Sequence, residues 1–133
     1  MDLGLAGQVA LVTGASMGIG EATARMLAAE GCDVVLVART AERLDAVAQS
    51  IIAATGQRAF TFPADLSKSA EVDRLAARWS GVNILVNNAG AIPGGHIDKV
   101  DEQAWRAGWD LKVFGYINLT RLIYAAMQSR GAG

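Results

Sequence analysis

The sequence contains a single cysteine, two prolines and almost no net charge. The lone Cys32 excludes a disulfide bond within the chain, and we interpret it as a small buried residue in a reducing, cytoplasmic location. A formal net charge of −1 at pH 7 gives no electrostatic attraction to nucleic acid or to an anionic membrane. Neither is therefore an expected partner.

Long uninterrupted hydrophobic runs are also missing from the chain. The N-terminal stretch has no basic segment followed by a long apolar run, so we expect no signal peptide. The apolar stretch 113–127 is interrupted by Asn118, Thr120 and Arg121, and it is too short to cross a bilayer. These features predict a soluble protein of the cytoplasm.

The residues that are present follow a repeated strand–helix pattern. The 133 residues are 52% hydrophobic and include fifteen glycines, which is typical of a globular domain with tight turns. Apolar runs of strand length alternate with segments of helical periodicity. The predicted strands are 8–13, 33–38, 58–65 and 82–88. The predicted helices are 20–30, 41–55, a third that begins after Ser67, and a long one from about 101 to 130.

Local signals mark the ends and the buried faces of these helices. Thr40 and Ser67 stand where N-cap residues are expected, and Gly31 stands where a glycine would close the first helix. One face of the first helix is expected to pack on the sheet, and it consists of Ile19, Ala22, Thr23, Met26 and Leu27.

This alternation predicts an α/β fold. Strand–helix–strand units make right-handed crossovers, so the sheet is expected to be parallel with helices on both faces, a three-layer α/β/α arrangement. Four strands in this order suggest the 3-2-1-4 half of a doubly wound, Rossmann-type sheet. A sheet that stops at its fourth strand leaves a long apolar edge. We therefore expect residues 1–133 to form a single dinucleotide-binding domain that is incomplete at its C-terminal end.

A glycine-rich turn follows the first predicted strand. The turn has the spacing G-x-x-x-G-x-G, and it lacks the Gly-Lys-Ser/Thr ending of a P-loop. Glycine allows a positive φ and a close approach of the backbone to a ligand, and the N-terminus of the following helix favours an anion. The loop residues that we expect to contact a pyrophosphate are Gly14, Ser16, Met17, Gly18, Ile19 and Gly20.

The end of the second strand suggests which dinucleotide is bound. An NAD site would place an acidic residue there to bind the ribose 2′-hydroxyl, but the sequence has Arg39 and Thr40. A guanidinium cannot accept a hydrogen bond from a hydroxyl, whereas it pairs well with a phosphate. This position favours NADP over NAD as the cofactor. The alternative is that Arg39 is a solvated loop residue.

Three motifs in order resemble the short-chain dehydrogenase/reductase family. Residues 13–20 match its TGxxxGxG motif, Asn87-Asn88-Ala89-Gly90 match its NNAG signature, and Asp65-Leu66 resemble its adenine-contacting pair. The resemblance covers essentially the whole chain. Within the family, the sequence resembles the 3-oxoacyl-[acyl-carrier-protein] reductases. It implies that Asp65 accepts a hydrogen bond from the adenine amino group. It also implies that Asn88, Ala89 and Gly90 lie along the adenosine ribose and the nicotinamide side of the cofactor.

The resemblance implies hydride transfer between a nicotinamide and a carbonyl or alcohol carbon. The family uses a tyrosine as general acid/base and a lysine four residues later, together with a serine, after a fifth strand. Here Tyr116 and Tyr124 are followed four residues later by Thr120 and Gln128, so the Tyr-x-x-x-Lys pair is absent. We expect this chain alone to be inactive and the catalytic half to lie outside it. The alternative is a non-catalytic NADP(H)-binding module or fragment.

The family's relay asparagine corresponds to Lys112 in this sequence, which makes Lys112 the one candidate catalytic residue in the chain. Three interpretations stay open. Its backbone carbonyl takes part in a proton relay, its ammonium attracts an anionic substrate group, or it is a displaced surface lysine. His96 is the only histidine and has no cysteine or carboxylate partner at ligand spacing, so no metal site is expected.

The long helix suggests self-association. The family builds much of a dimer interface from this helix, and residues 113–127 are apolar on nearly all sides. The resemblance therefore implies a homodimer or homotetramer through helix 101–130. The expected partner besides a second copy is a small carbonyl or alcohol substrate.

Overall fold

The structure is a computed structural model that describes all residues 1–133. Strands and helices alternate along the chain, as the sequence pattern predicts. The strands are β1 (Val9–Thr13), β2 (Asp33–Ala38), β3 (Ala59–Pro63) and β4 (Ile84–Val86). The helices are α1 (Gly18–Ala29), α2 (Ala41–Thr55), α3 (Ser69–Arg78), α4 (Glu102–Trp109) and α5 (Tyr116–Arg130), with a π-helical segment (Asp110–Gly115) between the last two. No helix combines the length and the hydropathy that a membrane crossing needs.

The four strands form one parallel sheet in the order β3-β2-β1-β4. Val9 pairs with Asp33 at one end of the central ladder, and Thr13 pairs with Val37 at the other. β1 and β2 are buried on both faces, as their continuous apolar runs predict, whereas β4 forms a half-buried edge. The predicted Rossmann-type fold and its strand order are confirmed.

Two apolar clusters sandwich the sheet. On one face Val12 and Leu36 pack against α1 and α2, with Leu44 and Ile51 supplied by α2. On the opposite face the alternate strand residues pack against α3 and α5, and the largest fully buried members are Leu11, Val35, Val37, Val72, Leu75, Leu119 and Ile123. The arrangement has the three layers that the sequence predicts.

The buried face of α1 differs from the predicted one. Ile19 and Met26 are 78% and 70% exposed, while Gly20, Ala24 and Ala28 are buried. Small residues at this spacing allow the helix axis to lie close to the sheet, so the apolar side chains beside them are left at the surface. The prediction followed hydrophobicity alone and was correct for Leu27, which packs against the core, but wrong for the exposed Ile19 and Met26.

The start of α3 also differs from the prediction. The helix begins at Ser69, and Lys68 rather than Ser67 occupies its N-cap position. The hydroxyl of Ser67 instead donates a hydrogen bond of 2.7 Å to Asp65 Oδ1. The Ser67 hydroxyl, which the sequence predicts as the helix cap, is therefore hydrogen-bonded to the Asp65 carboxylate instead.

The predicted long helix is continuous but not α-helical throughout. The side chain of Asp101 caps α4 by accepting a 2.8 Å hydrogen bond from the backbone N–H of Ala104, and Gly131, at φ 70°, ends α5. Between α4 and α5 the chain widens into one π-helical turn that contains Lys112. Such turns are rare, and they are found frequently at functional sites.

Candidate functional site

A cleft of about 400 Å³ opens at the carboxyl ends of all four strands. In doubly wound sheets ligands bind at this edge, where the strand order reverses, and here the reversal lies between β1 and β4. The structure brings most of the predicted cofactor residues to this cleft: Gly14, Ser16, Met17, Ile19, Arg39, Thr40, Leu66, Asn88, Ala89 and Gly90.

The three loop glycines meet different physical requirements. Gly14 and Gly18 adopt φ values of 65° and 60°, which side chains with a Cβ rarely tolerate. A Cβ on Gly20 would collide with the carbonyl oxygen of Gly14 and lie 2.5 Å from Asn88 Nδ2. Gly20 therefore lies beneath the loop and allows close packing, whereas a Cβ on Gly18 would meet no atom within 4 Å. Neither Gly18 nor Gly20 lines the cleft itself.

Thr13 joins the loop after β1 to the loop after β4. Its hydroxyl, which is fully buried, donates to the carbonyl of Val86 at 3.3 Å and accepts from the backbone N–H groups of Asn88 and Ala89, each at 2.9 Å. The amide of Asn88 also donates to the carbonyls of Thr13 and Gly14, at 3.1 and 3.3 Å. The NNAG segment therefore has a structural role, because these hydrogen bonds hold this wall of the cleft against the glycine loop.

The opposite rim of the cleft carries positive charge. Arg39 and Thr40 are exposed and follow β2, and the hydroxyl of Thr40, at the N-cap of α2, makes no capping hydrogen bond. Arg43, in the first turn of α2, lines the same cleft, although the sequence analysis did not single it out. The available signal was its position in the first turn of the predicted helix, four residues after Arg39.

Asp65 and Leu66 occupy two different environments. Leu66 is buried and lines the cleft, while Asp65 lies in an adjoining cavity that also includes Arg39. The carboxylate of Asp65 accepts hydrogen bonds from the hydroxyl and the backbone N–H of Ser67. These bonds, aided by the charges of Lys68 and Arg39, hold the pKa of Asp65 below its ordinary value despite partial burial. Asp65 is thus kept as an ionised carboxylate, which can accept hydrogen bonds from a ligand.

Lys112 lies next to the cleft rather than in it. Its aliphatic carbons pack on Gly90, and its Nζ donates to the hydroxyl of Tyr116 at 3.3 Å and sits 5.1 Å from that ring. The side chain is half-buried and forms no salt bridge. Lys112 is therefore a half-buried side chain held between Gly90 and Tyr116. Of the two tyrosines, Tyr116 is half-buried in this pair and Tyr124 is exposed.

The parallel 3-2-1-4 sheet and the glycine-lined cleft at its carboxyl edge define the class of α/β proteins with a doubly wound, Rossmann-type sheet. Within that class, a family model described as short chain dehydrogenase matches residues 8–133. The chain belongs to the short-chain dehydrogenase family, a family of oxidoreductases.

Two curated relatives show the level of similarity. The chain is 37% identical to 2,3-dihydro-2,3-dihydroxybenzoate dehydrogenase of Bacillus subtilis over 134 residues, which cover 98% of the chain and 51% of that enzyme. It is 38% identical to 3-oxoacyl-[acyl-carrier-protein] reductase of Synechocystis, with 97% of the chain and 54% of the relative covered. The chain thus spans about half the length of these relatives.

A solved structure has the same fold over the same region. The crystal structure of L-sorbose reductase from Gluconobacter frateurii, complexed with NADPH and L-sorbose, matches the chain with a TM-score of 0.92 at 36% identity. The match covers 98% of this chain and 51% of that enzyme.

Proposed function

We propose that the protein containing this chain is an NADP-dependent oxidoreductase that transfers hydride between the nicotinamide and a carbonyl or alcohol carbon. One observation carries the choice of cofactor: the end of β2 presents Arg39 and Thr40 to the glycine-lined cleft, where an NAD site would present a carboxylate. The NADPH bound to the related L-sorbose reductase supports the same choice.

The cleft residues fit a dinucleotide phosphate. The first turn of α1 has no side-chain cap, so its N–H groups are open to an anion, and the space beside Gly18 is clear. Arg39 and the hydroxyl of Thr40, which makes no capping hydrogen bond, would bind the 2′-phosphate. Asp65 would accept a hydrogen bond from the adenine amino group. Asn88, Ala89 and Gly90 would line the path toward the nicotinamide, which supplies or accepts the hydride when bound.

The catalytic tyrosine and its lysine are proposed to lie outside these 133 residues. The two tyrosines present are not followed by lysine at the fourth position, and the relatives extend to about twice this length. The alternative function is a non-catalytic NADP(H)-binding module. A cytoplasmic location remains part of the proposal, in keeping with the single cysteine.

Substitution Arg39→Asp in the full-length protein tests the cofactor assignment. The added carboxylate repels the 2′-phosphate and can accept from a ribose hydroxyl, so we expect NADPH affinity to fall about a hundredfold while NADH affinity is kept or improved. Fluorescence titration with both cofactors measures this. Equal losses for the two cofactors, or no loss, would contradict the 2′-phosphate assignment.

Oxidation of NADPH with a panel of ketones and aldehydes separates the two functions. Turnover by the full-length protein supports the oxidoreductase, and tight NADPH binding with no turnover of any carbonyl or alcohol substrate supports the binding module. An intact-mass measurement of the purified protein shows how far the polypeptide extends beyond 13.9 kDa.

Lys112 is proposed to bind an anionic oxygen of the substrate. Its ammonium is half-buried beside Gly90 with only a phenol hydroxyl as partner, so it can offer further hydrogen bonds at the nicotinamide end of the cleft. For Lys112→Met we expect KM to rise about tenfold for a keto acid and to stay unchanged for its methyl ester. Steady-state kinetics on the matched acid and ester measure the difference, and an equal effect on both would rule out charge recognition.

A further inference from the structure

Arg43 reaches from α2 to the glycine loop across the mouth of the cleft. Its Nη1 lies 3.5 Å from the sulfur of Met17, the residue at the N-cap of α1. Met17 is 60% exposed, and the thioether sulfur is only a weak hydrogen-bond acceptor. This contact positions the guanidinium without using up its donors.

The guanidinium of Arg43 has no other partner in the protein. It forms no salt bridge and no hydrogen bond apart from the contact with Met17, although Glu42 and Asp45 are close in sequence. Asp45 instead accepts a 3.0 Å hydrogen bond from Thr61. Arg39 on the same rim is likewise without a salt-bridge partner. Two guanidinium groups that form no salt bridge therefore border one cleft.

A phosphate monoester is the ligand that fits this pair. It carries a charge between about −1.5 and −2 at pH 7 and three acceptor oxygens, more than a single guanidinium can bind. A second guanidinium supplies the remaining donors in a planar fork. The free hydroxyl of Thr40 lies on the same rim. The positive charge of the two arginines and the hydrogen-bond donors therefore border the same cleft, between α1 and α2.

We propose that Arg43 is a second specificity-determining residue for the 2′-phosphate of NADP(H), acting together with Arg39 and placed over the neutral side chain of Met17. This inference rests on the proposed NADP-dependent function. A different role, in which the guanidinium of Arg43 stacks on the adenine ring, would stabilise NADPH and NADH equally. The two roles therefore differ in their effect on cofactor preference.

Cofactor titrations of the full-length protein test the proposal with Arg43→Gln, Arg39→Gln and the double variant. The probes are NADPH and NADH, with 2′,5′-ADP and 5′-AMP as fragments that differ only in the 2′-phosphate. For Arg43→Gln we expect about tenfold weaker binding of NADPH and 2′,5′-ADP, and unchanged binding of NADH and 5′-AMP. Arg78→Gln, an exposed arginine of α3 outside the cleft, is the matched control and should leave all four affinities unchanged.

A rescue experiment excludes a merely structural role for Arg43. Met17→Lys in the Arg43→Gln background places an ammonium where the guanidinium lay, so it should restore most of the lost preference for NADPH. Met17→Leu in the same background should restore none of it. Recovery with leucine, or no recovery with lysine, would overturn the proposal.

The titrations distinguish a failure of the proposed role of Arg43 from a failure of the NADP-dependent function. If the unmodified protein binds NADH as well as NADPH, the NADP-dependent function itself fails. If it prefers NADPH but Arg43→Gln weakens both cofactors equally, or neither, the function stands and the role of Arg43 is overturned.

Discussion

Thr13 is the residue on which the geometry of the cleft depends most directly. Its buried hydroxyl accepts from two backbone N–H groups of the loop after β4 and donates to the carbonyl of Val86 at the end of that strand. In Thr13→Val the shape is kept, but the N–H groups of Asn88 and Ala89 lose their acceptor. We expect the free energy of unfolding to fall by about 1–3 kcal/mol, measured by urea denaturation of the full-length protein.

Thr13→Ser is the matched control for this prediction. Serine keeps the hydroxyl and loses only a buried methyl group, so it should cost about 1 kcal/mol and leave NADPH binding intact. A valine variant that is as stable as the serine variant and binds NADPH equally well would show that the three hydrogen bonds do not hold the cleft together.

The glycines show how far residue-scale reasoning from sequence can go. The spacing of Gly14, Gly18 and Gly20 predicts a turn with positive φ and a close helix–strand approach, and both are found. Which glycine meets which requirement depends on the tertiary structure. A side chain at position 20 would collide with the carbonyl of Gly14 and with the amide of Asn88, a residue far along the chain. No local pattern contains that contact.

At the scale of elements, an ion pair ties the start of β2 to the residue that precedes β3. Asp33 Oδ2 accepts from Arg58 Nη2 at 2.6 Å and from Nε at 2.9 Å, and Oδ1 accepts from the backbone N–H of Arg58. The side-chain bonds to Arg58 lower the pKa of Asp33 below the usual 3.8. Because the folded-state pKa is the lower one, this contribution is complete above about pH 4 and is lost as pH falls through the folded value.

Asp33→Asn tests this pH dependence. The Arg58 side chain is 72% exposed, so solvent screens the pair and we expect the variant to lose only about 1 kcal/mol at pH 7. Near pH 2.5 the difference from the unmodified protein should shrink, because Asp33 of the unfolded chain is protonated there and the folded state binds that proton less readily. Urea midpoints at both pH values provide the measurement, with the exposed Asp98→Asn as control; a difference independent of pH would contradict the assignment.

Sequence periodicity predicts elements better than it predicts their contacts. It predicted all four strands and the order of the helical segments, but it joined α4 and α5 into one helix, misplaced most of the buried face of α1 and chose the wrong cap for α3. It also could not show the π-helical turn at Lys112, because i to i+5 hydrogen bonding has no residue pattern of its own. The close packing of Gly115 against the carbonyl of Leu66 is part of that same region and is a contact between distant segments.

At the scale of the whole molecule, one helix face has the character of an interface. Trp109, Phe114, Ile117 and Tyr124 are between 52% and 61% exposed along the end of α4, the π-helical segment and α5. Large apolar side chains grouped in this way are unusual on a monomer. We propose that they form the self-association surface expected of this family, as a homodimer or as part of a homotetramer.

Ile117→Glu in the full-length protein tests this surface. A carboxylate in the middle of an apolar interface is costly to bury, so we expect the oligomer to dissociate toward monomer in light scattering after size-exclusion chromatography. Ile52→Glu, a comparable exposed position on α2, should leave the mass unchanged. An intact oligomer in the Ile117 variant would place the contact elsewhere.

The candidate site was predicted in its parts and assembled by the fold. Local chemistry marks the glycine loop, Arg39-Thr40, Asp65-Leu66 and NNAG, because each lies directly after a strand whose apolar run is legible in the sequence. Parallel pairing then brings these four strand ends to one edge. Arg43 was missed because its relevance depends on reaching Met17 across the gap between two helices.

The sequence by itself determined the order of strands and helices, the layers and the loop chemistry, since these depend on hydrophobic periodicity and on residue types that act locally. The tertiary structure alone decided which face of α1 is buried, where Lys112 points, how Thr13 holds the NNAG loop and that Arg43 joins Arg39 at one cleft. Those features depend on distances between segments far apart in the chain, which only the packing of the sheet and its helices fixes.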